Sequence, residues 1–127
     1  MIPYLKNKRK NIILSFKTAW QGVHTVLIQE PSFKYMLIAA SIVVGAMVYF
    51  PTSRDEKAVL LVMIFSVLIL ELINSVMERF LDFLQPAEDP RVRKIKDLLA
   101  AIVLFVSLGA VVVGVLVFWP HVIQKFF

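Results

Sequence analysis

The stretch AVLLVMIFSVLILELINSVM, residues 58–77, runs for twenty residues with one ionisable side chain, Glu71, and one carboxamide, Asn74. A helix crossing a bilayer needs about 20 predominantly apolar residues, so this run reads as a membrane span with two polar positions inside it. Just upstream, TSRDEK (52–57) holds two overlapping capping boxes, Thr52 with Asp55 and Ser53 with Glu56. In that pattern each side chain satisfies an orphan N–H of the first helical turn, which predicts a helix start near residue 54. Downstream the helix is expected to continue as a polar extension through Asp82, to the loop around Pro86 and Pro90.

Two more apolar runs flank this one. Met36–Phe50 is uncharged and closed by Pro51, and with Phe33 and Tyr35 at its start it reaches the length of a short span. Leu98–Trp119 is uncharged throughout, and Pro120 is expected to stop it. Before the first span, Ile12, Ile13, Phe16, Trp20, Val23, Val26 and Leu27 recur at amphipathic-helix spacing, with Lys17, Gln21 and His24 off the stripe. With Lys6, Lys8, Arg9 and Lys10 ahead of it, this segment reads as a helix lying in the membrane interface. Glu30-Pro31 ends it, because a residue before proline is pushed out of the helical region. The basic first ten residues are not followed by an apolar core or a small-residue cleavage site, so the segment reads as mature protein. The expected organisation is a single all-α polytopic domain. It comprises an interfacial segment (1–34), spans at 35–51, 56–78 and 98–119, a cytoplasmic loop at 79–97 and a tail at 120–127.

Composition agrees. Of 127 residues, 59% are hydrophobic and 18% charged, against roughly 45–50% and about 25% in soluble domains. The net charge of +5 is better explained by anionic headgroups than by nucleic acid, given the apolar runs. Cysteine is absent, which excludes disulfides and thiolate chemistry. The two histidines, His24 and His121, are too distant in sequence to suggest a ligand pair and read as surface residues. Eleven Lys and Arg lie in residues 1–34 and 79–97, against three elsewhere. The positive-inside rule then puts the N-terminus and the 79–97 loop in the cytoplasm and the C-terminus outside.

An ionisable group inside a span costs roughly 2.5–3.5 kcal/mol on insertion scales, so Glu71 needs an explanation. At about 100° per residue, positions 71, 74, 78 and 82 fall at about 0°, −60°, −20° and +20°, so Glu71, Asn74, Glu78 and Asp82 share one face. They climb about 16 Å along the axis, from the hydrocarbon to the surface. Such carboxylates tolerate one another if a hard cation sits among them, and Mg²⁺ takes oxygen ligands and is usually shared with phosphates. Phosphoryl transfer needs that neutralisation, positioning and a base for the attacking hydroxyl. Withdrawal from water brings a carboxyl closer to useful base strength, and Glu71, the deepest, is the candidate base toward a lipid hydroxyl. Glu78 and Glu30 are better placed for metal, and Asp82, Lys96 and Asp97 for nucleotide. Spacing alone supports equally well that Glu71 and Asn74 bridge helices by hydrogen bonds. No GxxxxGK[ST] loop is present, and Ala110 with Gly114 reads as a packing notch.

The stretches ELINSVMERFLD (71–82) and KIKDLLAA (94–101) resemble the small prokaryotic diacylglycerol kinase family, which includes the undecaprenol kinases. SFKTAWQG (15–22) and the spacing of Glu30, Phe33 and Lys34 resemble it too, so the likeness covers nearly the whole chain. It implies an ATP-dependent, Mg²⁺-requiring lipid kinase in a prokaryotic cell membrane, built as a homotrimer with sites shared between chains. On that resemblance Glu71 would be the catalytic base and Asn74 its polar neighbour. Glu30 and Glu78 would bind metal, and Asp82, Lys96, Asp97 and Gly22 would contact the nucleotide. Val76, Leu99 and Ile102 depart from the small residues of the family pattern and are expected to add bulk where helices approach the site. The acceptor, diacylglycerol or undecaprenol, stays open. The rival readings are a non-catalytic membrane scaffold of the same fold and a small multidrug-type transporter. The latter resembles four-span chains with the key Glu in the first span, which here carries no charge.

Overall fold

The computed structural model describes residues 8–127, with side chains from residue 11 onward. Lys6 and the side chains of Lys8, Arg9 and Lys10, part of the expected interfacial segment, lie outside the described residues. Four helices follow in order: α1 (Lys8–Gln29), α2 (Pro31–Tyr49), α3 (Arg54–Leu84) and α4 (Pro90–Phe126), and no strand occurs among the described residues. The all-α architecture expected from the apolar runs is the one observed. α2, α3 and α4 are each long and apolar enough to cross a membrane.

α1 belongs to a compact unit ending at Pro31, and Ser32–Phe127 form a second. α1 stops where the Glu30-Pro31 pair predicts, with the Glu30 N–H donating to Val26 O at 2.9 Å. Pro31 itself opens α2, since a first-turn residue has no intrahelical partner for its N–H and loses nothing by lacking one. Phe16 and Trp20 of the apolar stripe of α1 are exposed.

The turn from α2 to α3 uses one of the two possible capping boxes. Ser53 is the N-cap: its hydroxyl accepts from Glu56 N, and the Glu56 carboxylate accepts from Ser53 N, both at 3.1 Å. Thr52 faces the other way, donating its buried hydroxyl to Met47 O at 2.8 Å and so closing the end of α2.

α3 and α4 make the main helix–helix contact. Leu60 on α3 and Val103 on α4 are buried, as are Phe33 and Met47 on α2, whereas most other large apolar side chains are exposed. A soluble fold with so small a core would not stand, but hydrocarbon solvates these side chains and removes the penalty. Between the three helices lies an apolar groove of about 530 Å³, lined among others by Met36, Ala40, Leu60, Leu68, Ala110 and Gly114. The notch at Gly114 is therefore open within this chain. Gly109 is the glycine that faces α3, where an added Cβ would meet Met63 Cε at 3.8 Å.

Three local expectations are corrected. α4 begins at Pro90, capped by Asp89, so most of the stretch read as the 79–97 loop is helical and the connection is only Gln85–Asp89. α4 also runs through Pro120 to Phe126. Pro120 removes a single backbone N–H from the ladder, and the turns beyond it are held by side-chain contacts to α2 and α3. His121, beyond that proline, is no bland surface residue. It is largely buried, and its Nε2 lies 3.0 Å from a Glu56 carboxylate oxygen, tying the last turns of α4 to the first turn of α3. The Phe50 and Phe118 rings stand 5.9 Å apart at this end, and the Lys125 ammonium lies 3.7 Å above the Tyr49 ring.

Candidate active site on the acidic face of α3

α3 has 31 residues, about 46 Å at 1.5 Å per residue, against a hydrocarbon thickness of about 30 Å. Its excess length carries the polar end out of the apolar stretch. Along the shared face, exposure grows with distance from the helix middle. Glu71 is 4% exposed, Asn74 and Glu78 are half-buried, and Asp82 is exposed. Ser75 at 2% is buried more deeply than any of them. It sits about 40° from Glu71 on the helical wheel, so its hydroxyl belongs to the same face. Sequence reasoning passed over it, although a serine four residues after the buried glutamate was the available signal.

The Asn74 side chain carries the most unusual local feature. Its Oδ1 is shielded from solvent and has no hydrogen-bond partner among the described residues. A buried acceptor left unmade costs about 1–3 kcal/mol, so this oxygen sits where a donor or a cation would be favourable.

At the outer end the face meets α4. Lys96 Nζ donates to Asp82 Oδ1, pairing two residues fourteen apart in sequence that were both expected to contact nucleotide. They share the wall of a cavity of about 540 Å³ formed with the α3–α4 connection, including Gln85, Pro86, Glu88 and Pro90. Asp97, the neighbour of Lys96, is exposed and does not line the cavity. The connection is held by Asp89, which accepts from Arg91 N at 2.9 Å and from the Arg91 guanidinium at 3.0 and 3.3 Å. That side-chain pairing first, and the backbone N–H second, hold the Asp89 carboxyl below its usual range, and Asp89 in turn holds Arg91 more firmly protonated.

The structure brings Glu71, Asn74, Glu78 and Asp82 onto one face and joins Lys96 to it. Glu30 and Gly22 lie in the other compact unit, and a Cβ added at Gly22 meets nothing within 4 Å. Among the described residues no group of three or more His, Cys, Asp or Glu side chains is close enough to hold a metal ion. Val76 and Ile102 do not crowd the site as expected: they are 60% and 49% exposed. Val76 lies about 140° from Glu71 on the helical wheel, and Ile102 about 120° from Lys96, so both project away from the polar face. Leu99 is half-buried.

Residues 17–118 match the prokaryotic diacylglycerol kinase family. A protein of Synechocystis sp. named diacylglycerol kinase is 30% identical over 105 residues, which cover 82% of this chain and 60% of that relative. The chain thus spans about 60% of the length of the curated relative it matches. Together with three apolar helices and the acidic face of α3, the match places this membrane protein in the prokaryotic diacylglycerol kinase family.

Proposed function

We propose that this chain transfers the γ-phosphoryl group of ATP to the hydroxyl of a membrane lipid alcohol, diacylglycerol or undecaprenol, at the cytoplasmic face of a prokaryotic cell membrane. The observation that carries the reading is the face of α3, where a carboxylate at 4% exposure sits one turn from a shielded, unpartnered carboxamide oxygen. If the hydrocarbon begins after Lys57, its thickness of about 30 Å takes about 20 residues of helix and ends near Met77. Glu71 then lies about 10 Å inside the boundary, where a lipid hydroxyl can reach, and Glu78 and Asp82 lie at or beyond it, where a nucleotide can.

In this reading Glu71 accepts the proton of the lipid hydroxyl as its oxygen bonds to the γ-phosphorus. The bond from that phosphorus to the bridging oxygen breaks, ADP leaves with the bonding pair, and the proton later passes from Glu71 to water. Asn74 orients the reacting groups through its free carboxamide oxygen. Lys96, paired with Asp82, holds nucleotide, as does Asp97. The carboxylate oxygens of Glu78 and Glu30 are the hard donors that Mg²⁺ takes, typically one or two carboxylates plus substrate phosphates, and these two would hold it. When bound, the ion neutralises phosphate charge. Assembly as a homotrimer with sites shared between chains, the arrangement implied by the family resemblance, would cover the open apolar groove.

The test is direct. Purified protein in micelles is incubated with γ-labelled ATP, Mg²⁺ and a panel of lipid alcohols. Label on diacylglycerol or undecaprenol is expected, and the preferred lipid identifies the acceptor. ATP bound without transfer to any lipid would overturn the proposal in favour of a non-catalytic scaffold.

A further inference from the structure

The nucleotide cavity at the α3–α4 turn carries a cation that no proposed role uses. Four basic residues stand in the first two turns of α4: Arg91, Arg93, Lys94 and Lys96. At about 100° per residue, Arg93 lies about 60° from Lys96, whereas Arg91 and Lys94 lie about 140° and 160° away. Arg93 and Lys96 accordingly line the cavity, and the other two do not.

Their charges are differently engaged. The Arg91 guanidinium is taken up by Asp89, and the Lys96 ammonium by Asp82. Arg93 makes no side-chain ion pair among the described residues, and its backbone is fixed by its N–H donating to Asp89 O at 3.1 Å. Its guanidinium therefore offers a planar fork of N–H donors from a rigid first turn, with the positive end of the α4 dipole behind it. Glu88 lies on the same cavity wall and makes no ion pair among the described residues, so an anion entering here needs a compensating positive charge. A phosphate oxyanion suits such a fork, because guanidinium binds it bidentately.

We infer that Arg93 is a phosphate-binding residue for the nucleotide in the α3–α4 cavity, supplying a cavity cation that no carboxylate pairs with among the described residues. This rests on the lipid-kinase reading above. A phosphate oxyanion at this level of the membrane can come from ATP or from a lipid headgroup, and the assignment is to ATP.

The experiment measures ATP affinity in Mg²⁺ for purified protein in uncharged detergent micelles. Arg93→Gln should weaken ATP binding about ten- to a hundredfold, the range of a charge-assisted hydrogen bond, with Arg93→Lys recovering part of it. Lys94→Gln removes the same charge from the next position, about 100° round the helix and off the cavity lining, and should change affinity little. Equal effects of Arg93→Gln and Lys94→Gln would overturn the inference, leaving only a general charge effect. A defect that appears only when anionic phospholipid is added to the micelles would assign Arg93 to a headgroup and overturn it as well. Retained oligomeric state and helix content separate lost binding from lost folding, with Arg93→Lys as the fallback if the Gln variant does not fold. If Lys96→Gln and Glu78→Gln weaken ATP binding and Arg93→Gln does not, this inference alone fails. If none of the three affects ATP binding, the lipid-kinase reading fails with it.

Discussion

Replacing Glu71 by Gln separates a proton acceptor from a helix-bridging residue. The side chain is 4% exposed, so a swap of nearly equal volume that keeps hydrogen-bonding capacity should leave packing intact. Interhelical hydrogen bonds in membranes average about 0.6 kcal/mol and reach about 1.7 kcal/mol. At about 1.36 kcal/mol per decade those energies correspond to roughly three- to eighteenfold effects, and a neutral amide would retain much of the bond. Loss of a general base costs roughly 10²–10⁴-fold, or about 2.7–5.4 kcal/mol of barrier. The two ranges do not overlap. The assay is the initial rate of lipid phosphorylation in micelles at saturating ATP and lipid, with ATP affinity and oligomeric state measured on the same samples. The expected result for Glu71→Gln is a rate at least a hundredfold lower with binding and assembly unchanged. Glu71→Leu should match it in rate and additionally test assembly. A Gln variant turning over within a few-fold of the parent, with Leu losing oligomer, would refute the base assignment.

Three further outcomes are expected. If Glu78 and Glu30 hold Mg²⁺ with the nucleotide, Glu78→Gln and Glu30→Gln each weaken ATP binding in Mg²⁺ and have little effect in EDTA; equal losses in both would indicate a structural role. A reporter fused after Phe127 should be accessible from outside the cell, from the eleven-to-three distribution of Lys and Arg, and protection of that reporter would reverse the topology. Because the Asp89 carboxyl is held below its usual range, its stabilising effect is complete above the ordinary carboxyl pKa of about 3.9 and is lost as pH falls through the lowered value. Thermal unfolding of the parent and Asp89→Asn should therefore differ at neutral pH and converge in acid, and a gap that stays constant down to the lowest pH at which the fold survives would show that Asp89 acts without its charge.

Where the sequence spoke clearly, the information was local. Twenty apolar residues commit a segment to helix across a bilayer because its backbone groups have no other partner there. Ser53 with Glu56 sets the start of α3, since both halves of the capping box lie within one turn. The angles of Glu71, Asn74, Glu78 and Asp82 follow from the helical repeat, and so did that of Ser75, had it been counted. The outward direction of Val76 and Ile102 was equally available from the repeat, and reading them as crowding the site neglected it.

What only the tertiary structure decided depends on how α3 and α4 register against each other. Asp82 meets Lys96 across fourteen residues and Glu56 meets His121 across sixty-five. No periodicity encodes such meetings, because they follow from packing two long helices at one relative height. The persistence of α4 through Pro120 belongs here too, since a local rule for stopping a helix was outweighed by the surroundings of the segment. So does the partition of charge around the α3–α4 cavity. The sequence lists Arg91, Arg93, Lys94 and Lys96 alike, and the fold spends Arg91 on Asp89 and Lys96 on Asp82, leaving Arg93 facing the cavity.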